Sequence, residues 1–99
     1  MLESMSLATF TELLHSDFRI LTNSDGPAVV VKLAQAVDLG SSPRQEQFSI
    51  LFRGPLEQAL GQGLYRMEHD RLGSFDLFIV PVGRDAQGYQ YEAIFNRLR

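Results

Sequence analysis

Phe75-Asp76-Leu77-Phe78-Ile79-Val80-Pro81-Val82 is the stretch that decides the fold, and it is apolar on both sides of an extended chain. Successive side chains of a strand point to opposite faces. Phe75, Leu77 and Ile79 therefore point one way, and Phe78, Val80 and Val82 point the other. Leu51 and Ile94, on strands that can neighbour this one, add to the second side. A small barrel requires only one apolar side, its interior. The other side calls for a cover: an N-terminal helix, a further sheet layer, or another chain.

Outward from that strand, the rest of the chain supplies the other elements. Residues 6–15 read as a short helix, with Ser6 as its cap and Met5 and Phe10 at the staple positions. Leu7, Phe10 and Leu14 fall on one face. Thr9-x-x-Glu12 is a second possible cap. A helix of two or three turns cannot stand alone, so its stripe must dock.

After Ser16 the pattern is strands and turns. Phe18, Ile20 and Thr22 alternate with Arg19 and Leu21, and Asn23 to Pro27 is a strong turn. Ala28 to Leu39 reads as one long strand with Val29, Val31, Leu33, Val37 and Leu39 on its buried side, interrupted at Gln35. Phe48, Ile50 and Phe52 alternate next, and residues 54–63 are irregular. Leu64 to His69 is a short strand with Tyr65 and Met67 on one side. The deciding strand follows, then a loop over Gly83 to Gly88 and a last strand, Tyr89 to Asn96. The expectation is one mainly β domain over residues 1–99: a small six-stranded antiparallel barrel or sandwich, its strands within about 17–96, with one short N-terminal helix. No long helices lie between strands, which argues against parallel βαβ units.

Composition sets limits on function. A chain of 99 residues buries roughly 60–65% of its unfolded surface, enough for one core. The net charge is −3, from 12 acids against 9 bases, and no basic cluster marks a nucleic-acid surface. Cysteine is absent, which removes disulfides, thiolate metal sites and a cysteine nucleophile. The opening residues show no signal-peptide pattern, and the apolar run Leu77 to Val82 is far too short for a membrane span, so a cytoplasmic protein is expected.

The catalytic motifs are missing as well. Glu68-His69-Asp70 is the one place where an imidazole neighbours carboxylates, but on a strand Glu68 and His69 face opposite ways. No G-x-S-x-G accompanies it. His15 follows the last helical turn, where an imidazole suits the helix dipole. The two histidines lie far apart in sequence with no metal spacing between them, and Gly61-Gln62-Gly63 is not a dinucleotide fingerprint. Arg53, Arg66 and Glu68 would form a cross-strand charge network if adjacent strands carried them.

The reading is a non-catalytic structural or interaction protein, without cofactor or metal, that meets a protein partner or itself rather than nucleic acid or membrane. One short helix reaches only part of a strand-length patch, and Pro81 cannot donate to a ladder, which places its strand near an edge or at its end. The interface residues expected are therefore Leu51, Phe78, Val80, Val82 and Ile94. The alternative is a ligand-binding barrel with Tyr65, Met67, His69 and Tyr91 at its mouth.

Four strings are distinctive together: Phe48-Ser-Ile-Leu-Phe-Arg-Gly-Pro55, Gly63-Leu-Tyr-Arg-Met-Glu-His69, Leu77-Phe-Ile-Val-Pro-Val-Gly83 and Tyr91-Glu-Ala-Ile-Phe-Asn96. With the segment from Leu7 to Phe18, they make nearly the whole chain resemble an uncharacterised family of small β-rich bacterial proteins of about this length. The resemblance carries no activity. It implies, by association with phage-tail-collar-like genes, an accessory or assembly role in a tail or fibre system, with the protein incorporated into a particle. His15-Ser16 stands where that family has a glycine-containing turn.

Overall fold

The computed structural model describes residues 5–22 and 27–98. The turn read over Asn23 to Pro27 thus falls almost wholly outside the described residues. One short helix, α1 (Leu7–Glu12), precedes six strands: β1 (Asp17–Leu21), β2 (Val29–Asp38), β3 (Gln45–Gly54), β4 (Gly63–His69), β5 (Gly73–Asp85) and β6 (Gly88–Leu98). All neighbours are antiparallel, and the order β1-β2-β3-β6-β5-β4 returns to β1 through the pairing of Arg19 with Glu68. The mainly β expectation holds as one ring-like sheet rather than two stacked ones.

Alternation fills the ring. Phe18, Ile20, Val31, Leu33, Phe48, Ile50, Phe52, Met67, Ile79 and Tyr91 are fully buried. A ring of six strands has room for side chains and little else. Phe52 stands edge-on to Phe18 at 5.1 Å, and Phe48 stacks on Phe95 at 4.7 Å.

Ser6 caps α1 as read, its side chain accepting from the Thr9 N–H at 3.2 Å. The helix is shorter than the span 6–15, because Leu13 takes the C-cap and His15 turns to φ +73°. That left-handed backbone is the geometry glycine favours, and His15 adopts it while its N–H bonds the Leu33 carbonyl at 2.7 Å. Phe10 is fully buried and meets Phe95, Phe48 and Phe18 at 5.2, 6.0 and 6.4 Å. The helix thus plugs one end of the ring interior. It does not cover the outer face of β5, because its apolar stripe is spent on inward-facing rings. The opposite end is closed by the segment between β3 and β4, where Leu60 is buried and its N–H bonds the Tyr91 hydroxyl at 3.0 Å.

Two irregularities shape the outer surface. The β2–β3 register shifts between Leu33 and Gln35. The extra residue reverses the faces, so Val37 and Leu39, read as buried, are exposed while Ala36 turns inward. The second lies in β5, which pairs with β4 over Gly73–Ile79 and with β6 from Val80 onward. Pro81 is not at the strand's end, but it stands where β5 has one neighbour alone, as an edge residue would. It sits opposite Tyr91, immediately before a bulge, and β5 continues to Asp85. The hairpin to β6 is accordingly tighter than the Gly83–Gly88 loop expected, with only Ala86 and Gln87 between the paired Asp85 and Gly88. A side chain at Gly88, with φ +147°, would collide with the Gly54 carbonyl.

Candidate interaction surface

The outside of the ring divides into two halves of opposite character. Across β2, β1, β4 and β5, facing residues carry opposite charge: Asp17 with Lys32 at 3.1 Å, Arg19 with Glu68 at 3.5 Å, Arg66 with Asp76 at 2.6 Å. Each is a directly opposed cross-strand pair in the ladder, the arrangement that fixes register at about 0.2–1 kcal/mol a pair. The network expected among Arg53, Arg66 and Glu68 does not form, because β6 and β5 separate β3 from β4. Arg53 instead holds Asp85 with one nitrogen 2.9 Å from both oxygens. That hydrogen bond, helped by the Gln87 N–H, keeps the Asp85 carboxyl below its usual pKa.

Across β4, β5, β6, β3 and β2 the outer face carries a cluster of large apolar residues around Glu92 and Ser49. Leu64 lies opposite Phe78, Val80 opposite Glu92, Glu92 opposite Leu51, and Ile94 opposite Ser49, which faces Val37. Phe78 is 48% exposed, Val82 51%, and Ile94 and Leu64 each 67%. Leu51 and Val80 are half-buried between them. The five residues read from alternation therefore lie on the outer side, around the point where β5 leaves β6. Leu64 belongs with them and was legible, since it has the opposite parity to Tyr65 and Met67. Val37 was not, because only the ladder places the bulge. An apolar patch of a few hundred Å² on a small protein's surface commonly marks a contact site.

Tyr65, Met67, His69 and Tyr91 do not line one opening. Met67 and Tyr91 are fully buried. Tyr65 lies at the Leu60 end, its hydroxyl donating to the Gly61 carbonyl at 2.8 Å. His69 lies at the helix end, its ring 4.4 Å from that of Phe18. Burial pushes the Tyr91 hydroxyl pKa up, against the Leu60 N–H that it accepts.

His69 does meet a hydroxyl. Its Nε2 lies 3.0 Å from Ser16 Oγ, while Nδ1 accepts the N–H groups of Arg71 at 3.0 Å and Leu72 at 3.4 Å. Two donors on Nδ1 leave the proton on Nε2, so His69 donates to Ser16, which donates to the Leu13 carbonyl at 2.6 Å. A general base needs the reverse, an unprotonated nitrogen facing the hydroxyl. Asp70 turns away to Arg19 at 3.2 Å. The chain of bonds ties the end of α1 to the β4–β5 turn. Among the described residues no three of His, Asp and Glu gather as metal ligands, and no helix is long and apolar enough to cross a membrane.

These features define a small ring-like β protein, filled inside, with an apolar outer wall beside a charge-paired one. The chain belongs to the family described as Domain of unknown function (DUF6916), whose model matches residues 5–95. No curated protein and no solved structure matches it.

Proposed function

We propose that this chain is a non-catalytic interaction protein that seats a protein partner on the outer face around Leu51, Phe78, Val80, Val82 and Ile94. The observation that carries the reading is the exposure of Phe78, Val82 and Ile94 while α1 spends its apolar side inside the ring. The neighbouring wall, laced with opposed charges, supports it by contrast: there facing residues pair by charge, whereas here Leu64 faces Phe78 and Val80 and Leu51 flank Glu92. The resemblance supplies the setting, a bacterial accessory or assembly factor of a phage-tail-like or fibre system carried in the particle, while the charge and hydropathy of the chain favour a cytoplasmic protein partner over nucleic acid or membrane.

The test is co-expression with a phage-tail-collar-like protein of the kind the resemblance implies, comparing the wild type with Phe78→Asp. Phe78 is half exposed, so the variant should melt within a few degrees of the wild type. A complex with the wild type that weakens at least tenfold in Phe78→Asp is the expected result. No complex, or one indifferent to the substitution, removes the reading.

A further inference from the structure

Pro81 reveals which backbone groups of β6 are in use. It has no N–H, so it cannot belong to a mutually hydrogen-bonded pair, and in the β5–β6 ladder that role falls to Val80 and Glu92. Bonding direction alternates along an antiparallel strand. Ala93, Phe95 and Arg97 therefore turn their N–H and C=O toward β3, while Ile94, Asn96 and Leu98 turn theirs to the other side. β5 does not follow β6 on that side, since the β5–β6 register runs only from Val80 and Glu92 to the hairpin and Gly73–Ile79 pair with β4 alone. Among the described residues no strand pairs with β6 there beyond Glu92.

Three donors and three acceptors thus run in a row along an open edge. The usual protections of such an edge are lysine, proline or a bulge, and Ile94–Leu98 has none of them. Its one charge, Arg97, is directed to Glu46 on β3 at 3.5 Å. Ile94 and Leu98 flank the row at 67% and 82% exposure.

We infer that this edge pairs with the same edge of a second copy of the chain, antiparallel, with Asn96 opposite Asn96 and Ile94 opposite Leu98. The register follows from the strand itself. It makes every outward-bonding residue of one copy meet an outward-bonding residue of the other, giving six main-chain hydrogen bonds. A slip of one residue sets bonding positions against non-bonding ones and inner faces against outer. A slip of two residues at each position loses part of the row. In the chosen register Arg97 faces Phe95, so no like charges meet, and Ile94 packs against Leu98 across the seam. The match is isologous, as two-fold dimers require. It rests on the interaction reading above and assigns a second copy to one edge of that surface, leaving Phe78, Val80 and Val82 for the other partner.

The experiment is light scattering on the full chain from low to high micromolar concentration, for the wild type, Asn96→Pro and Phe78→Asp. Proline at 96 removes an N–H that β3 does not use. The wild type should rise toward twice its 11.1 kDa, Asn96→Pro should stay monomeric and folded, and Phe78→Asp should dimerise like the wild type. A wild type that stays monomeric throughout overturns the inference, as does a dimer that survives Asn96→Pro. Should Asn96→Pro fail to fold, amide exchange of the wild type decides. Ile94, Asn96 and Leu98 should exchange at least tenfold more slowly in the concentrated sample, and unchanged rates overturn the pairing. Either failure leaves the partner complex, read through Phe78→Asp, as a separate result.

Discussion

His69 is a residue whose protonation the fold controls. Its ring is buried against Phe18 with both nitrogens committed, Nδ1 to two backbone donors and Nε2 to Ser16. A second proton would have to sit on Nδ1, against those N–H groups. Burial lowers its pKa, Arg19 and Arg71 add to the lowering, and Asp70 opposes it. The unfolded chain, with its ordinary value near 6.5, therefore takes up the proton first as pH falls. The stability contributed by neutral His69 is complete above about pH 6.5 and is lost as pH drops toward the folded value. Urea midpoints across this range should fall with pH in the wild type, and the slope should flatten in His69→Gln. His15 offers the opposite case, a side chain in a backbone that prefers glycine. His15→Gly should leave stability unchanged or raise it by up to about 1 kcal/mol in a denaturant titration.

At the scale of elements, α1 persists because of one ring. Six residues are too few for an independent helix, and Phe10 joins it to Phe18, Phe48 and Phe95. Phe10→Ala should cost about 3–5 kcal/mol by chemical denaturation and loosen the whole helix end. The Ser6 cap was legible because it is a local device of a few residues. The alternation of β1, β3 and β4, and the doubly apolar β5, were legible for the same reason. Whatever depended on a distant partner was not. Val37 and Leu39 keep the parity of Val29 to Leu33 in sequence, and only the register against β3 reverses them. Arg53 found Asp85 rather than Arg66 and Glu68 because strand order, which no local pattern encodes, placed β6 and β5 in between.

At the scale of the molecule, one surface property organises the rest: charge-paired strands on one side, apolar residues on the other. The exposed ion pairs of the first half add little stability individually, but they leave the charges of that wall paired with one another. The candidate contact residues were found from sequence because a second apolar face needs only a count of alternate positions. The open edge of β6 was not, because it comes from β5 exchanging one neighbour for another midway along its length. That exchange also bears on how the chain reaches its shape. Gly73–Ile79 zip locally onto β4, but the seams Arg19–Glu68 and Gln45–Leu98 join residues 68 − 19 = 49 and 98 − 45 = 53 positions apart. Most of the chain must be corralled before either seam forms, so the ring assembles on the slow, millisecond-to-second side of small-domain folding. Until it does, β4 and β6 each carry a strand edge without its neighbour.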